Sequence, residues 1–160
     1  MLRKLSENQS KRVCLVTSGH LYGNPRLRKE LVALEKAGYE VCVVCVQTVE
    51  ALLELDLAIE KQHPAVSFFV LDATKRHWYG RWVRLKSAIR QRIASWLFEK
   101  TGRFADCAFA RFFPEQYALA HKLKADLYIG HNLAALPVVA KVALKKHTQF
   151  AFDAEDFHRG

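Results

Sequence analysis

The sequence contains no apolar run approaching the roughly 20 residues that a membrane-spanning helix needs. Its first twelve residues are polar and lack the apolar core of a secretory signal. It also has no internal repeat and no low-complexity linker. These absences favour a cytoplasmic protein. The 160 residues, 51% of them hydrophobic, predict one globular domain.

Two common nucleotide-binding motifs are missing as well. The segment from Gly19 to Gly23 (GHLYG) has neither the glycine spacing of a dinucleotide fingerprint nor the Lys-Ser/Thr of a Walker loop, which disfavours a nucleotide-dependent oxidoreductase. The segment still lies between a predicted strand and a predicted helix, where backbone N–H groups and the helix dipole can hold an anion. The alternative is that its glycines only satisfy the turn geometry.

Metal and redox chemistry has little support. Cys42 and Cys45 have the spacing of a redox motif, but they lie in a β-branched strand pattern whose alternation puts the two sulfurs on opposite faces. The segment from Asp153 to His158 (DAEDFH) contains metal-ligand residue types, yet no second ligand set at zinc spacing accompanies it. We therefore expect no bound metal, and we expect these carboxylates to orient hydroxyl groups.

The apolar segments that are present alternate between strand and helix patterns. Five strands are predicted, at residues 12–17, 40–47, 66–71, 126–130 and 149–153. Consecutive apolar residues in most of them are typical of parallel strands covered on both faces. Asn24 is the predicted N-cap of the first helix, Pro25 its first residue and Gly38 its stop. The pattern predicts an α/β fold with a doubly wound, Rossmann-like parallel sheet in the order 3-2-1-4-5.

This strand order places a crevice between the first and fourth strands, at the carboxyl edge where open α/β sheets bind ligands. Gly19, His20 and Gly23 after the first strand should face His131 and Asn132 after the fourth. The segment after the fifth strand brings further polar residues to this edge, namely Asp153, Glu155, Asp156 and His158. His131 is the main candidate for function because an imidazole there can donate a hydrogen bond into the cleft.

The net charge of +9 is concentrated in one segment. Nine Lys or Arg residues lie between Lys75 and Arg103, against the single acidic residue Glu99. This segment opens a predicted helical insertion, residues 75–123, between the third and fourth strands. Apolar residues recur in it at intervals of four and three: Trp78, Trp82, Leu85, Ile89, Ile93 and Trp96. We call these six residues the apolar stripe.

The apolar stripe has competing interpretations. The helix could lie in an anionic lipid interface with its apolar side down and its basic stems snorkelling outward. The contacting residues would then be Trp78, Arg81, Trp82, Arg84, Lys86, Arg90 and Trp96. Alternatively the stripe packs on the sheet, since every helix of a doubly wound fold needs an apolar side. A non-catalytic basic module for nucleic acid or an acidic protein is a further alternative, but no base-recognition motif is present, so we expect no nucleic acid partner.

Four segments carry a resemblance to a known family. They are residues 12–19 (RVCLVTSG), 25–41 (PRLRKELVALEKAGYEV), 125–132 (ADLYIGHN) and 153–158 (DAEDFH). Together they resemble the amino-terminal domain of GT-B fold glycosyltransferases of the retaining family 4 type. The likeness runs over nearly the whole chain except the basic insertion.

The resemblance implies a two-domain enzyme that transfers a sugar from a nucleotide-sugar co-substrate to a lipid-linked or polysaccharide acceptor, with no tightly bound cofactor. The chain would be the acceptor-side half, peripheral on the inner face of the membrane. The loop at Gly19 would approach the donor phosphates, His131 would contact the transferred sugar, and residues 153–158 would line the cleft. The family's carboxy-terminal nucleotide-binding domain is absent from these 160 residues, so we expect them to be inactive alone.

Overall fold

The computed structural model describes residues 11–154. Its five strands are β1 (Arg12–Thr17), β2 (Glu40–Gln47), β3 (Ser67–Asp72), β4 (Leu127–His131) and β5 (Gln149–Asp153). All neighbouring strands run parallel, in the order β3-β2-β1-β4-β5. The predicted α/β class, Rossmann-like sheet and strand order are confirmed, although β3 and β4 each begin one residue later than the apolar pattern indicated.

The helices cover both faces of the sheet. They are α1 (Pro25–Lys36), α2 (Leu53–Gln62), α3 (Trp78–Thr101), α4 (Ala105–Phe109), α5 (Phe113–Lys122) and α6 (Leu136–Lys146), with 3₁₀ turns at Glu50–Leu52 and Leu133–Ala135. The predicted start of α1 is confirmed, because the Asn24 side chain accepts a 2.9 Å hydrogen bond from the Leu27 backbone and Pro25 is the first helical residue. Gly38, at φ +80°, follows the end of this helix as predicted.

Two apolar layers enclose the sheet. Cys14, Val16 and Tyr128 point to one face, where α5 and α6 cover them. Val13, Leu15 and Ile129 point to the opposite face, against α1 and α2. Cys42 belongs to the first layer and Cys45 to the second, which confirms that these two sulfurs lie on opposite faces.

The four cysteines are all free thiols and differ in exposure. Cys14, Cys42 and Cys45 are buried, whereas Cys107 is partly exposed. Burial raises the pKa of the Cys45 thiol far above its ordinary value, because desolvation disfavours the thiolate. A buried thiol of this kind is a small apolar side chain rather than a nucleophile or a metal ligand.

The helix α3 docks beside β3 through a smaller third cluster, in which Val83 packs with Leu71 and Phe112. Gly80 lets its first turn approach the preceding loop closely. A Cβ atom at this position would lie 2.2 Å from the Thr74 carbonyl oxygen. No helix within residues 11–154, this longest one included, combines the length and the apolar content needed to cross a membrane.

Replacing Gly80 with alanine should destabilise the protein, although the same change usually favours a helix by about 1 kcal/mol. The added methyl group must displace backbone rather than a flexible side chain, so we expect a loss of about 1–3 kcal/mol in the free energy of unfolding. Chemical denaturation measures it. Gly23→Ala is the matched control, since the nearest atom to its Cβ would be 3.7 Å away. An unchanged or raised stability of Gly80→Ala would contradict the close approach.

Candidate functional site

The carboxyl ends of three neighbouring strands meet at one edge of the sheet. Thr17 at the end of β1 is the register partner of His131 at the end of β4, and His131 is the partner of Asp153 at the end of β5. From β1 the chain winds outward to β2 and β3, and from β4 it winds the other way to β5. The space between β1 and β4 is therefore the switch point where such sheets bind ligands. The side chains that follow these strands therefore form the candidate site.

Asn132, which follows β4, links this strand to the end of β1. Its amide oxygen accepts a 2.6 Å hydrogen bond from the Ser18 hydroxyl, and its amide nitrogen donates to the Thr17 hydroxyl at 3.0 Å. Its backbone has φ 66° and ψ 155°, a conformation that glycine alone adopts readily. Strain of about 1–3 kcal/mol is held here by these side-chain hydrogen bonds, and the side chain makes no capping bond to the 3₁₀ turn that follows.

His131 lies beneath α1 rather than open to solvent. Its side chain is only 1% exposed, with Nε2 at 2.7 Å from a Glu30 carboxylate oxygen and Nδ1 at 3.5 Å from an Asp153 carboxylate oxygen. The imidazole therefore stands between two carboxylates from different elements. Each of those carboxylates remains about one third exposed, so the polar surface of the site belongs to them.

Asp153 connects β5 to the start of α1. One carboxylate oxygen faces His131, and the other lies 3.3 Å from an Arg26 guanidinium nitrogen. The described chain thus places Asp153 at the site as the sequence predicted. The other three candidates of this segment, Glu155, Asp156 and His158, lie outside the described residues.

The two glycines of the first loop leave open space. A Cβ atom on Gly19 would meet no heavy atom within 4 Å, and Gly23 is equally uncrowded apart from the His20 carbonyl oxygen at 3.7 Å. Neither glycine has a positive φ, so neither is required by the turn geometry. The loop after β1 can therefore be approached closely by a ligand.

His20 is committed to the other side of β1. Its Nδ1 lies 2.7 Å from an Asp56 carboxylate oxygen, and its Nε2 accepts hydrogen bonds from the backbone N–H groups of Thr48 and Val49. Two N–H donors at Nε2 assign the proton to Nδ1. The side chain is 5% exposed and faces the end of β2 instead of His131, so the predicted arrangement across the cleft is wrong for this residue.

Several site residues have no clear sequence signal. Thr17 and Ser18 are neutral residues at the end of an apolar strand, and Glu30 lies in an ordinary amphipathic helix. Gln116, from the helical insertion, is 1% exposed and donates a 2.8 Å hydrogen bond to the Thr17 carbonyl oxygen. Gln116 and Thr17 are 99 positions apart, so no local sequence pattern indicates this contact. Only the i, i+4 spacing of Arg26 and Glu30 could have drawn attention to α1.

The apolar stripe of α3 points away from the domain. Its six side chains are all more than half exposed, from 51% for Ile89 to 79% for Trp78. The interpretation that the stripe packs on the sheet is therefore wrong. The buried residues of α3 lie on the opposite side of the helix, at Gly80, Val83, Ser87 and Ala94.

Two of the basic residues assigned to lipid contact have partners inside the domain. Arg84 donates to the carbonyl oxygens of Thr48 and Ala73. Arg90 makes two hydrogen bonds to the Glu115 carboxylate, at 2.9 and 2.6 Å. By contrast Arg81 and Lys86 are exposed, along with Trp78, Trp82 and Trp96.

No group of three or more His, Cys, Asp or Glu side chains among residues 11–154 could hold a metal ion. At the site itself, the two nitrogens of His131 are directed at different carboxylates rather than at a shared point. What the arrangement offers is hydroxyl, amide and carboxylate groups beside an open loop. These groups suit the recognition of a ligand rich in hydroxyl groups.

No protein-family model matches the sequence, and a search of curated proteins found no match. Among solved structures, the chain is similar to the C-terminal domain of a hydrogenase from Pyrococcus furiosus, with 14% identity, a TM-score of 0.52 and coverage of 89% of this chain and 90% of that one. A predicted subunit of a tRNA methyltransferase from Methanocaldococcus jannaschii has 11% identity, a TM-score of 0.46 and coverage of 93% and 70%. Neither is described as a glycosyltransferase, and at these identities the first similarity shows the fold alone.

Proposed function

We propose that the chain is the acceptor-side domain of a glycosyltransferase that uses a nucleotide-sugar and a lipid-linked or polysaccharide acceptor. In this proposal the protein is cytoplasmic and works at the inner membrane surface. The observation that carries the proposal is the strained backbone of Asn132, held at the switch point by hydrogen bonds to Thr17 and Ser18. Strain of this kind concentrates at functional sites.

The groups around Asn132 fit the recognition of a sugar. The Ser18 hydroxyl and the Asn132 amide are partly exposed and can each donate and accept hydrogen bonds, as sugar hydroxyls do, whereas Thr17 is fully buried and holds the Asn132 amide in place. Gly19 leaves the adjoining backbone open, which supports the approach of donor phosphates to this loop. Glycosyl transfer also needs a closed, dry cleft, and in this fold a second domain would supply its other wall.

In this proposal His131 is a positioning residue. Its side chain is 1% exposed and orients the carboxylates of Glu30 and Asp153. These two carboxylates then present the polar surface to an acceptor hydroxyl. Asp153 is also held by Arg26, which adds a cation beside the site. A carboxylate oriented in this way can accept the hydrogen bond of an acceptor hydroxyl.

Asn132→Gly tests the proposal because it separates folding from function. Glycine relieves the strained φ but removes two side-chain hydrogen bonds, so we expect the melting temperature to stay nearly unchanged. The polypeptide from the complete reading frame should transfer radiolabelled sugar from a UDP-, GDP- or ADP-sugar to extracted membrane lipid or polysaccharide. In the variant this transfer should fall about tenfold.

Ser67→Ala, at the opposite end of the sheet, is the control and should leave transfer unchanged. Residues 1–160 alone should give no transfer. The proposal fails if the complete polypeptide transfers no sugar from any of the three donor classes, or if Asn132→Gly transfers as well as the unaltered protein.

A further inference from the structure

The outward side of α3 is apolar over most of the length of the helix. The stripe from Trp78 to Trp96 spans about 27 Å at the usual helical rise. Single exposed apolar side chains are common on protein surfaces, but a continuous row of six is not. Such a row indicates a surface that meets an apolar partner.

The opposite side of α3 is fastened to the domain by polar bonds. Arg84 binds two backbone carbonyl oxygens, and Arg90 binds the Glu115 carboxylate. Arg111, which follows α4, donates to the Ser87 hydroxyl and to the Arg84 carbonyl oxygen. Rolling α3 to bury its stripe would break all of these bonds. The outward orientation of the stripe is therefore part of the fold.

The stripe forms one wall of an apolar groove between α3 and α4. The groove has a volume of about 540 Å³ and is lined by Trp82, Leu85, Ile89, Ile93, Leu97 and Phe104, among others. This volume lies within the range of ordinary ligand sites, about 300–1,000 Å³. Lys86 stands on its rim.

Positive charge surrounds the same surface. Of the nine basic residues between positions 75 and 103, seven are exposed: Lys75, Arg76, Arg81, Lys86, Arg92, Lys100 and Arg103. The only acidic residue in this segment is Glu99. An apolar strip bordered by cations complements a surface with negative charges above hydrocarbon.

We propose that the α3–α4 face docks on an anionic phospholipid bilayer. The tryptophans and branched aliphatic residues of the stripe enter the headgroup and acyl boundary, and an acyl chain lies along the groove. Lys86, Arg81 and Arg92 contact lipid phosphates. This docking identifies the membrane-contacting surface and does not depend on the reaction proposed above.

Two other occupants fit the surface less well. A second copy of the chain would bring two strongly basic faces together, and their repulsion opposes association. Single-stranded RNA would match the cations, but it is held by stacking on aromatic rings, whereas Leu85, Ile89 and Ile93 occupy the middle of the stripe. Both occupants can be detected in the same experiment.

Co-sedimentation with vesicles tests the docking. The chain should bind phosphatidylcholine vesicles that contain phosphatidylglycerol and should bind pure phosphatidylcholine vesicles much more weakly. Ile89→Asp should weaken binding about 10- to 100-fold, because it removes an inserted side chain. Lys86→Gln and Arg92→Gln should each weaken it about fivefold.

Controls outside the face are available on α6 and α1. Leu144→Asp replaces another apolar residue, which is 71% exposed. The double variant Lys36→Gln with Lys145→Gln removes two exposed positive charges. Both control variants should bind vesicles as the unaltered protein does. Equal binding to neutral vesicles, or undiminished binding of Ile89→Asp, would overturn the proposal. So would a dimer that Ile89→Asp dissociates, or salt-sensitive RNA retention without vesicle binding.

Discussion

Asp56→Ala should lower the free energy of unfolding by about 3–5 kcal/mol. The Asp56 carboxylate is fully buried in α2 and accepts hydrogen bonds from three donors in two segments, the loop after β1 and the end of β2. The donors are the His20 imidazole at 2.7 Å, the Tyr22 backbone at 2.8 Å and the Gln47 side chain at 3.1 Å. Alanine would leave all three donors without that acceptor, the buried His20 imidazole among them, and would also open a cavity.

Urea denaturation of purified variants measures this loss. The stability of Asp56→Asn should fall between that of the unaltered protein and that of Asp56→Ala. Asparagine keeps one acceptor oxygen but turns an amide N–H₂ group toward other donors. Glu54→Ala, an exposed acidic residue in the same first turn of α2, should cost less than about 1 kcal/mol. If Asp56→Ala cost no more than Glu54→Ala, the carboxylate would not be what holds the loop after β1 to α2.

Arg90→Ala should lower the free energy of unfolding by about 3 kcal/mol while affecting lipid binding little. Its paired hydrogen bonds to Glu115 join α3 to α5, and both side chains are less than one quarter exposed. Removing the guanidinium leaves the Glu115 carboxylate partly buried without its cation. A third bond, to the Arg111 carbonyl oxygen, would also be lost.

Arg92 provides the matched comparison, because it is exposed and lies two residues further along α3. Arg92→Ala should change stability by less than about 0.5 kcal/mol and weaken vesicle binding about fivefold. Thermal unfolding and vesicle co-sedimentation of both variants give the comparison. If Arg90→Ala were as stable as the unaltered protein but no longer bound vesicles, the structural role assigned to Arg90 would be wrong and Arg90 would itself be a lipid contact.

The fold could be predicted because its signals are local. Consecutive apolar residues mark β1 and β2, and Asn24, Pro25 and Gly38 mark the ends of α1. Strand order then follows from the alternation of strands and helices and from the right-handed crossover. The position of Asn132 at the switch point follows from the order alone. None of these steps requires knowledge of a contact between distant residues.

The details of the site could not be predicted, because they depend on distant partners. His131 is buried by Glu30, about one hundred positions earlier, and His20 is held by Asp56 rather than by its neighbours. On α3, spacing alone places Arg90 beside the stripe, and only the contact with Glu115 shows its structural role. The apolar repeat is the same whether a helix faces the sheet or faces outward, so periodicity could not orient it.

The unequal burial of the thiols makes the protein convenient for fluorescence work. Cys107 lines the α3–α4 groove, and the other three cysteines are enclosed in the core. A maleimide dye should therefore attach at that one position without any engineered mutation, most readily at mildly alkaline pH because burial raises the pKa of this thiol. The emission of a polarity-sensitive dye would then report directly when hydrocarbon replaces water in the groove.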